Sequence, residues 1–302
     1  RVFRRIEPRV VVSALTRSNI CITALAGQFG YRTIISEHAH TTGHHTGLSG
    51  FIAKGLIRLF YPKADIVIGV SQAIISDLVR DFAVSDHRAF VIPNPIDATA
   101  ITRMAGQPSP LPLPASYIVG MGRLIKAKNF RLLIQAFAQS DFTGDLIILG
   151  EGPERQMLET HIAQLGLATR VHLPGFLKNP FPVIKGAAGF VLSSDVEGLP
   201  TCLIEAMTLG IPVISTNCRS GPSEILADQP DMVISELTEV SYGLLLPPGS
   251  TAALTSALNT LNDPAAQSDL ATRALAGTNR YALQDAVGKY WSIIEEQLGR
   301  VG

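Results

Sequence analysis

Apolar residues in the first third of the chain alternate between short runs and stretches with a helical period. Short β-branched runs at residues 10–14 and 33–36 flank an apolar segment at 20–29, which predicts a strand–helix–strand step. A loop rich in glycine and histidine comes next. The pattern then predicts a helix at 50–60, a strand at 66–70, a helix that Ser71 caps and that runs to Arg80, and a strand at 90–92. This order is typical of an α/β domain.

The second half of the chain repeats the alternation more regularly. A linker at 108–115 precedes it, where alternate prolines favour an extended path. The alternation beyond the linker predicts a doubly wound parallel sheet with helices on both faces. Its predicted strands are 117–121, 146–149, 171–173, 190–192 and 213–215, and its predicted helices are 130–139, 154–165, 201–209, 250–261, 265–276 and 283–298.

Length and charge restrict the class of protein. The 302 residues suffice for two domains with separate cores, and 46% of them are hydrophobic. Lysine plus arginine equals aspartate plus glutamate at 25 each, so no overall positive charge favours a nucleic acid partner. Three cysteines without metal-ligand spacing fit a reducing compartment. No apolar run has the length of a membrane span, and the first residues lack the order of a secretory signal.

The stretch from Ser193 to Ser215 carries the strongest functional pattern. It predicts a strand end, a Gly-Leu-Pro turn, a helix and a strand, with Glu197 on the turn and Glu205 inside the helix. We expect the free amides of Thr201, Cys202 and Leu203 at the helix start to attract phosphate. Glu205 is placed to accept hydrogen bonds from the vicinal hydroxyls of a ribose. The alternative is that both glutamates are ordinary solvated residues.

A glycine-rich strand end supplies basic residues. Gly120 and Gly122 let a ligand approach the backbone, and Arg123 and Lys128 can offer a bidentate fork and an ammonium to a diphosphate. The third glycine of a dinucleotide fingerprint is replaced by Ile125, which disfavours a nicotinamide enzyme. The alternative is a solvated basic loop.

These segments together resemble a known family. The stretch with Glu197 and Glu205 resembles the E-x7-E segment of retaining glycosyltransferases of the GT4 type. Four further segments agree in order, GMGRL with KNF at 120–130, GEGPE at 150–154, GF at 175–176 and GPSEI at 221–225, and NPID at 94–97 resembles another family turn. The resemblance covers most of the chain from about Glu37.

The resemblance implies the fold and the domains. It implies the α/β GT-B fold, two Rossmann-like domains that face a cleft, with the first strands, helices and a glycine-rich loop of the N-terminal domain absent. Residues 1–107 would be the incomplete acceptor-side domain, 108–115 the linker and 116–280 the domain that binds a nucleotide sugar. Residues 281–302 would be a helix that returns to the N-terminal domain.

The resemblance also implies roles for individual residues. Arg123 and Lys128 would neutralise the departing nucleoside diphosphate, Glu197 would steer the developing oxocarbenium ion, and His38 would reach the sugar or the acceptor. Phe176 and Leu177 would border the nucleobase, although Phe176 could equally be a core residue. The expected donor-binding residues are Gly122, Arg123, Lys128, Gly152, Phe176, Leu177, Glu197, Gly198, Leu199, Pro200, Thr201 and Glu205.

Two features could suggest a metal ion. Asp195-Val196-Glu197 matches the form of a D-x-D motif, but it follows several βα units instead of an early one. Histidines at 38, 40, 44 and 45 share one loop, yet no zinc-binding spacing frames them. We therefore expect no metal and no other cofactor, and a surface role for His38 remains the alternative.

The expected function is transfer of a hexose or N-acetylhexosamine from a nucleotide sugar, with UDP favoured, to a glycan or polyprenyl-linked acceptor. A nucleotide-sugar binding module without turnover and a nucleotide-sugar epimerase of the same fold are the alternatives, and hydrolysis is a lesser one. The expected location is cytoplasmic. Lys54, Arg58 and Lys63 around the helix at 50–60 suggest contact with an anionic membrane surface, at the inner face of the cell membrane, or with a lipid-linked pyrophosphate acceptor. The alternative, typical of most such helices, is a helix that packs on the core and has one solvent-exposed face.

Overall fold

The computed structural model describes residues 2–44 and 47–299, without the side chains of Val2 and His44. Within these residues the chain forms two α/β units, each built on its own sheet. The helices are α1 Val2–Ile6, α2 Thr16–Phe29, α3 Thr41–His44, α4 Gly47–Phe60, α5 Gln72–Phe82, α6 Ala98–Ala105, α7 Phe130–Gln139, α8 Arg155–Gln164, α9 Phe181–Lys185, α10 Thr201–Thr208, α11 Pro222–Ala227, α12 Thr251–Asn259, α13 Pro264–Ala276 and α14 Leu283–Gly299.

The first sheet is parallel and has its strands in sequence order. Its two central strands are almost wholly buried, as parallel strands between helices require, whereas the two edge strands keep exposed positions such as Val12 and Phe90. Ser71 caps α5 as predicted, because its hydroxyl accepts the amide of Ile74 at 3.3 Å. Its strands are β1 Val10–Ala14, β2 Arg32–Glu37, β3 Ile66–Gly69 and β4 Ala89–Val91.

The second sheet has the spatial order β10-β11-β9-β8-β5-β6-β7. Every pairing is parallel except that of β10 with β11, so an antiparallel edge strand departs from the wholly parallel sheet that we predicted. The sequence pattern did not predict β10 or its neighbour β11, which have three and four residues. The strands are β5 Tyr117–Met121, β6 Asp145–Leu149, β7 Val171–Gly175, β8 Gly189–Leu192, β9 Val213–Thr216, β10 Thr238–Val240 and β11 Gly243–Leu246.

Helix α14 packs on the first unit although it follows the second in sequence. Its residues Ala286 and Ile293 share a buried cluster with Ile34, Ile66 and Ile68 of the first sheet. Another cluster of buried side chains runs continuously from the first unit to the second. Buried side chains therefore join the two units into one packed body.

None of the helices in the described part of the chain combines the length and the apolar character that a bilayer crossing requires.

Candidate active site

A cavity of about 600 Å3 opens where β5, β6 and β7 end in the second sheet. Residues that follow these strands form one wall, and α10 supplies the other. Ligands of open α/β sheets bind at this edge, beyond the carboxyl ends of the strands. The predicted donor-binding residues that line the cavity are Gly122, Arg123, Phe176, Leu177 and Glu205.

The side chains of three charged residues that line this cavity, Arg123, Lys178 and Glu205, have no hydrogen bond or ion pair with the described residues. Glu205 is half-buried and Arg123 is exposed. Burial raises the pKa of Glu205 above its ordinary value. A desolvated carboxylate and an unpaired guanidinium in one cavity suit a ligand that has hydroxyl groups at one end and negative charge at the other.

Lys128 and Glu197 form a largely buried ion pair. Lys128 Nζ lies 2.5 Å from Glu197 Oε1, and the side chains are only 19% and 10% exposed. The Ser194 hydroxyl donates to the same Oε1 at 2.6 Å, whereas Oε2 accepts from no side chain in the described parts of the chain. Burial lowers the pKa of Lys128, but the charge of Glu197 and smaller contributions outweigh it, so that the pKa is raised. The ammonium therefore stays charged and keeps further N–H donors for a ligand.

Backbone contacts hold the loop of Lys128 against the loop of Glu197. The amide of Asp195 donates to the carbonyl of Ala127 at 2.8 Å, and the Ser193 hydroxyl donates to the carbonyl of Lys128 at 2.9 Å. Asn129, with a left-handed φ of 45°, caps α7 and also donates to Asp195 at 3.0 Å. The ion pair is thus set by two loops that fix each other.

Gly152, a predicted donor-binding residue, lies behind the cavity wall and not in it. A Cβ at this position would come within 2.3 Å of the carbonyl oxygen of Leu124. The residue lets the loop after β6 pack against the loop after β5, so its position supports a structural role. Gly122 does line the cavity, and the stem of Lys128 packs on it at 3.3 Å from the ideal Cβ position.

The turn before α10 lies between the two units. A Cβ on Gly198 would lie 2.0 Å from the carbonyl oxygen of His38, so glycine allows the second unit to touch the first at this point. Leu199 is buried, and Pro200 and Thr201 begin α10. The expectation of three free amides at the helix start was wrong for Leu203, whose amide donates to the carbonyl of Pro200 at 3.0 Å.

Phe176 borders the cavity and is not a core residue. Its side chain is 76% exposed, because it stands on the loop directly after β7. Leu177 beside it is partly buried and also lines the cavity. The exposed ring offers a stacking surface for a planar ligand.

The ring of His38 hydrogen-bonds within the first unit. Its Nε2 lies 3.1 Å from the Ser36 hydroxyl, and it also contacts Asn94. Burial lowers the pKa of His38, although Glu37 and the Asn94 hydrogen bond oppose this effect. The backbone of His38, through its contact with Gly198, is what meets the second unit. Its role toward a sugar or acceptor stays a prediction.

A second, smaller cavity of about 240 Å3 is lined by Glu197 together with Asp195 and Val196. His40 and Gly43 line it from the first unit, and Arg219 lines it from the loop after β9. The sequence analysis did not assign His40 or Arg219 to the site. Both follow strand ends closely, and that position is the signal that could have identified them.

The comparisons with known proteins agree with this geometry. The family model described as glycosyl transferases group 1 matches residues 107–274, and that of glycosyltransferase family 4 matches residues 1–100. The chain belongs to the GT4-type glycosyltransferases of group 1. The prediction from the five sequence segments is thereby confirmed.

Named relatives of this family are about a third identical to the chain. An N-acetylgalactosamine-N,N'-diacetylbacillosaminyl-diphospho-undecaprenol 4-alpha-N-acetylgalactosaminyltransferase of Campylobacter jejuni is 33% identical over 218 residues, which are 71% of the chain and 59% of the relative. A glycosyltransferase of Methanocaldococcus jannaschii is also 33% identical over 218 residues, which are 67% of the chain and 52% of the relative. The chain thus spans between half and three fifths of the length of these two relatives.

Solved structures of glycosyltransferases confirm the GT-B fold. The Anabaena protein HepE, crystallised with UDP and glucose, superposes with a TM-score of 0.79 at 19% identity, covering 98% of the chain and 80% of HepE. The sucrose-phosphate synthase of Thermosynechococcus elongatus superposes with a TM-score of 0.79 at 21% identity. The superposition covers 100% of the chain and 76% of the synthase.

The four histidines considered for a metal site are only partly described. His45 and the side chain of His44 lie outside the described residues, and the ring of His40 lies 3.7 Å from Asp77. Within the described parts of this group 1 chain, no three histidine, cysteine, aspartate or glutamate side chains form a cluster that could hold a metal ion.

Proposed function

We propose that this protein is a retaining glycosyltransferase that uses a nucleotide sugar, with UDP the favoured nucleotide. The observation that carries the proposal is the large cavity, where Phe176, Glu205 and Arg123 lie around one space and the Lys128–Glu197 pair lies beside it. The nucleobase would stack on Phe176, the ribose hydroxyls would donate to Glu205, and the diphosphate would lie toward Arg123, Lys128 and the start of α10.

The proposed reaction depends on charge. The bond between the anomeric carbon and the diphosphate oxygen breaks, and the negative charge that develops is stabilised by Arg123, Lys128 and the helix amides. The acceptor hydroxyl attacks from the same face, and its proton passes to the departing diphosphate. Glu197 supports the positive anomeric carbon through Oε2, which has no partner in the parts of the chain that the structure describes. Since two side-chain cations serve the leaving group, the proposal needs no metal ion.

The proposed acceptor is a glycan or a polyprenyl-linked glycan, and the sugar moved is a hexose or N-acetylhexosamine. Relatives support this class, since one is named for a diphospho-undecaprenol substrate and another as a lipopolysaccharide 1,6-galactosyltransferase. The smaller cavity, between His40 and Arg219 and next to Glu197, would receive the acceptor. The proposal includes a cytoplasmic protein in peripheral contact with the inner face of the cell membrane.

The test measures transfer of radiolabelled sugar from UDP-, GDP- and ADP-sugars to acceptors in a membrane lipid extract. The anomeric configuration of the labelled product is then determined. We expect UDP-dependent labelling with the donor configuration retained, and loss of labelling in Lys128→Met and Glu205→Ala. The matched control is Glu236→Ala, which removes an exposed glutamate that lines neither cavity.

Each alternative has its own outcome in this assay. A binding module would bind UDP-sugar without labelling any acceptor. An epimerase would convert the sugar in the absence of an acceptor. Inverted configuration would contradict the proposed mechanism, and equal rates in Glu205→Ala and Glu236→Ala would contradict the site.

A further inference from the structure

Helix α4 carries an apolar face that no other part of the described chain covers. Its large apolar residues are strongly exposed, at 80% for Leu48, 77% for Phe51, 56% for Ile52, 54% for Leu59 and 38% for Leu56. Their spacing of three, four, seven and eight residues puts them on one side of the helix. From the sequence we expected either a core-packed helix with one solvent-exposed face or a contact with a membrane or a lipid-linked acceptor, and the exposed face of α4 is mainly apolar.

The opposite side of α4 makes the contacts that hold the helix in place. Gly50 and Ile57 are buried there, and α4 contacts the neighbouring helices α2 and α5. The helix is therefore apolar on both its inner and outer sides. Exposed apolar patches of this kind mark surfaces that meet a membrane or another protein.

The charged residues of α4 distinguish between a membrane and another protein as the partner of this face. Lys54 and Arg58, one turn apart, lie on the side of the helix nearest Phe51, and α4 contains no acidic residue. Lys54 donates to the carbonyl of Thr42 and Arg58 to that of Asp81, and neither forms an ion pair with a carboxylate among the described residues, although the Asp81 carboxylate lies near enough for Arg58 to lower its pKa.

The nearby carboxylates of α5 are already engaged. Asp81 is paired with Arg80 at 2.9 Å, and Asp77 accepts the hydroxyl and the amide of Thr42. An apolar face with a basic flank and no acid fits an anionic bilayer surface. A second copy would offer no acidic residue on α4 to pair with Lys54 or Arg58.

We infer that the outer face of α4 inserts into the headgroup region of an anionic lipid membrane. Phe51, Ile52, Leu48 and Leu59 would enter the apolar boundary, and the basic flank would meet lipid phosphates. Helix α4 would thus make the membrane contact that is part of the proposed function, and the inference rests on that function.

The position of the helix gives the contact a consequence for the cleft. Gly43 of α3, the helix that precedes α4, lines the cavity beside Glu197, and Lys54 holds α3 through Thr42. Insertion of α4 would therefore bring the proposed acceptor cavity close to the membrane surface, where a lipid-linked acceptor could reach it.

The test is co-sedimentation with vesicles of phosphatidylcholine alone and of phosphatidylcholine mixed with phosphatidylglycerol. We expect the protein to bind the anionic vesicles, and added salt to weaken binding. The double variant Phe51→Ser/Ile52→Ser should lower the association constant by about tenfold or more, since two large side chains lose their apolar environment. The matched control is Val233→Ser, which removes a 93% exposed apolar residue outside α4.

Three results would overturn the inference. They are no binding of the unaltered protein to anionic vesicles, equal binding of the double variant, or a dimer that the double variant dissociates while vesicle binding is absent. The first two deny insertion, and the third shows that a second copy covers the face.

Two controls separate this inference from the proposed function. The double variant should keep its affinity for UDP, because α4 lies outside the donor cavity. Glu197→Gln should keep vesicle binding whether or not transfer is lost.

Discussion

The Lys128–Glu197 pair gives the most direct test of the site geometry. We consider Lys128→Met, which keeps most of the stem that packs on Gly122, Glu197→Gln, which keeps an acceptor for Ser194, and the double variant. The two charged atoms lie 2.5 Å apart and the side chains are 19% and 10% exposed. Each single variant leaves the other charge with little water and without its partner.

The magnitude follows from this burial. Loss of one member of a buried ion pair lowers the free energy of unfolding by about 3–5 kcal/mol. Because both side chains keep some exposure to water, we expect a loss of about 3 kcal/mol for Lys128→Met. Glu197→Gln should cost about 2 kcal/mol, since the amide oxygen can still accept from lysine. The double variant leaves no unpaired charge and should also cost about 2 kcal/mol, so the coupling energy is about 3 kcal/mol.

The assay is chemical denaturation of the four proteins without nucleotide, with the same denaturant slope required in each. If the losses in free energy of unfolding of the two single variants add up to that of the double variant within about 0.5 kcal/mol, the two groups do not interact in solution. That result would refute the paired arrangement and the loop contacts inferred to set it.

Three further predictions follow from single positions. Phe176→Ala should weaken UDP binding by about tenfold in calorimetry without lowering the melting temperature, because the ring is exposed and its loss removes only base stacking. Gly198→Ala should cost about 2–3 kcal/mol or more in denaturation, since its Cβ would press on the carbonyl of His38, whereas Gly27→Ala, with no atom nearby, should not destabilise the protein. Burial lowers the pKa of His161, so the unfolded state takes up the proton first and stability falls as the pH drops below about 6.5; His161→Leu should flatten that fall in a pH series of melts.

Much of the fold could be predicted because local signals and tertiary packing agree. Helix α7 has the predicted bounds, since Asn129 caps it and Ser140 follows its last residue. The pair β10 and β11 was not predicted, because β10 has only three residues and the leucine run of β11 lacks the β-branched residues that indicated the other strands. Helix α4 was ambiguous because its inner and outer sides are both apolar, and only packing shows which side is buried.

The site could be predicted in part for a different reason. The motifs identified residues at strand ends, and the topology of a parallel sheet brings strand ends together. Sequence could not show that Lys128 bonds directly to Glu197, because the two are far apart in the chain and the pairing depends on two loops that bind each other. Nor could it show that the ring of His38 bonds to Ser36 while His40 lines the cavity beside Glu197.

The turn that follows Glu197 is the point where contacts from both units meet. Glu197 is held from one side by Lys128, within the second unit, and its turn is held from the other by the close approach of Gly198 to His38 of the first unit. The Ser220 hydroxyl also donates to the carbonyl of Gly198 and contacts Ser71 at the start of α5. Because these contacts converge on one turn, separation of the two units would remove the support that the first unit gives to this turn, whereas Lys128 and Ser194 of the second unit would still hold the carboxylate of Glu197.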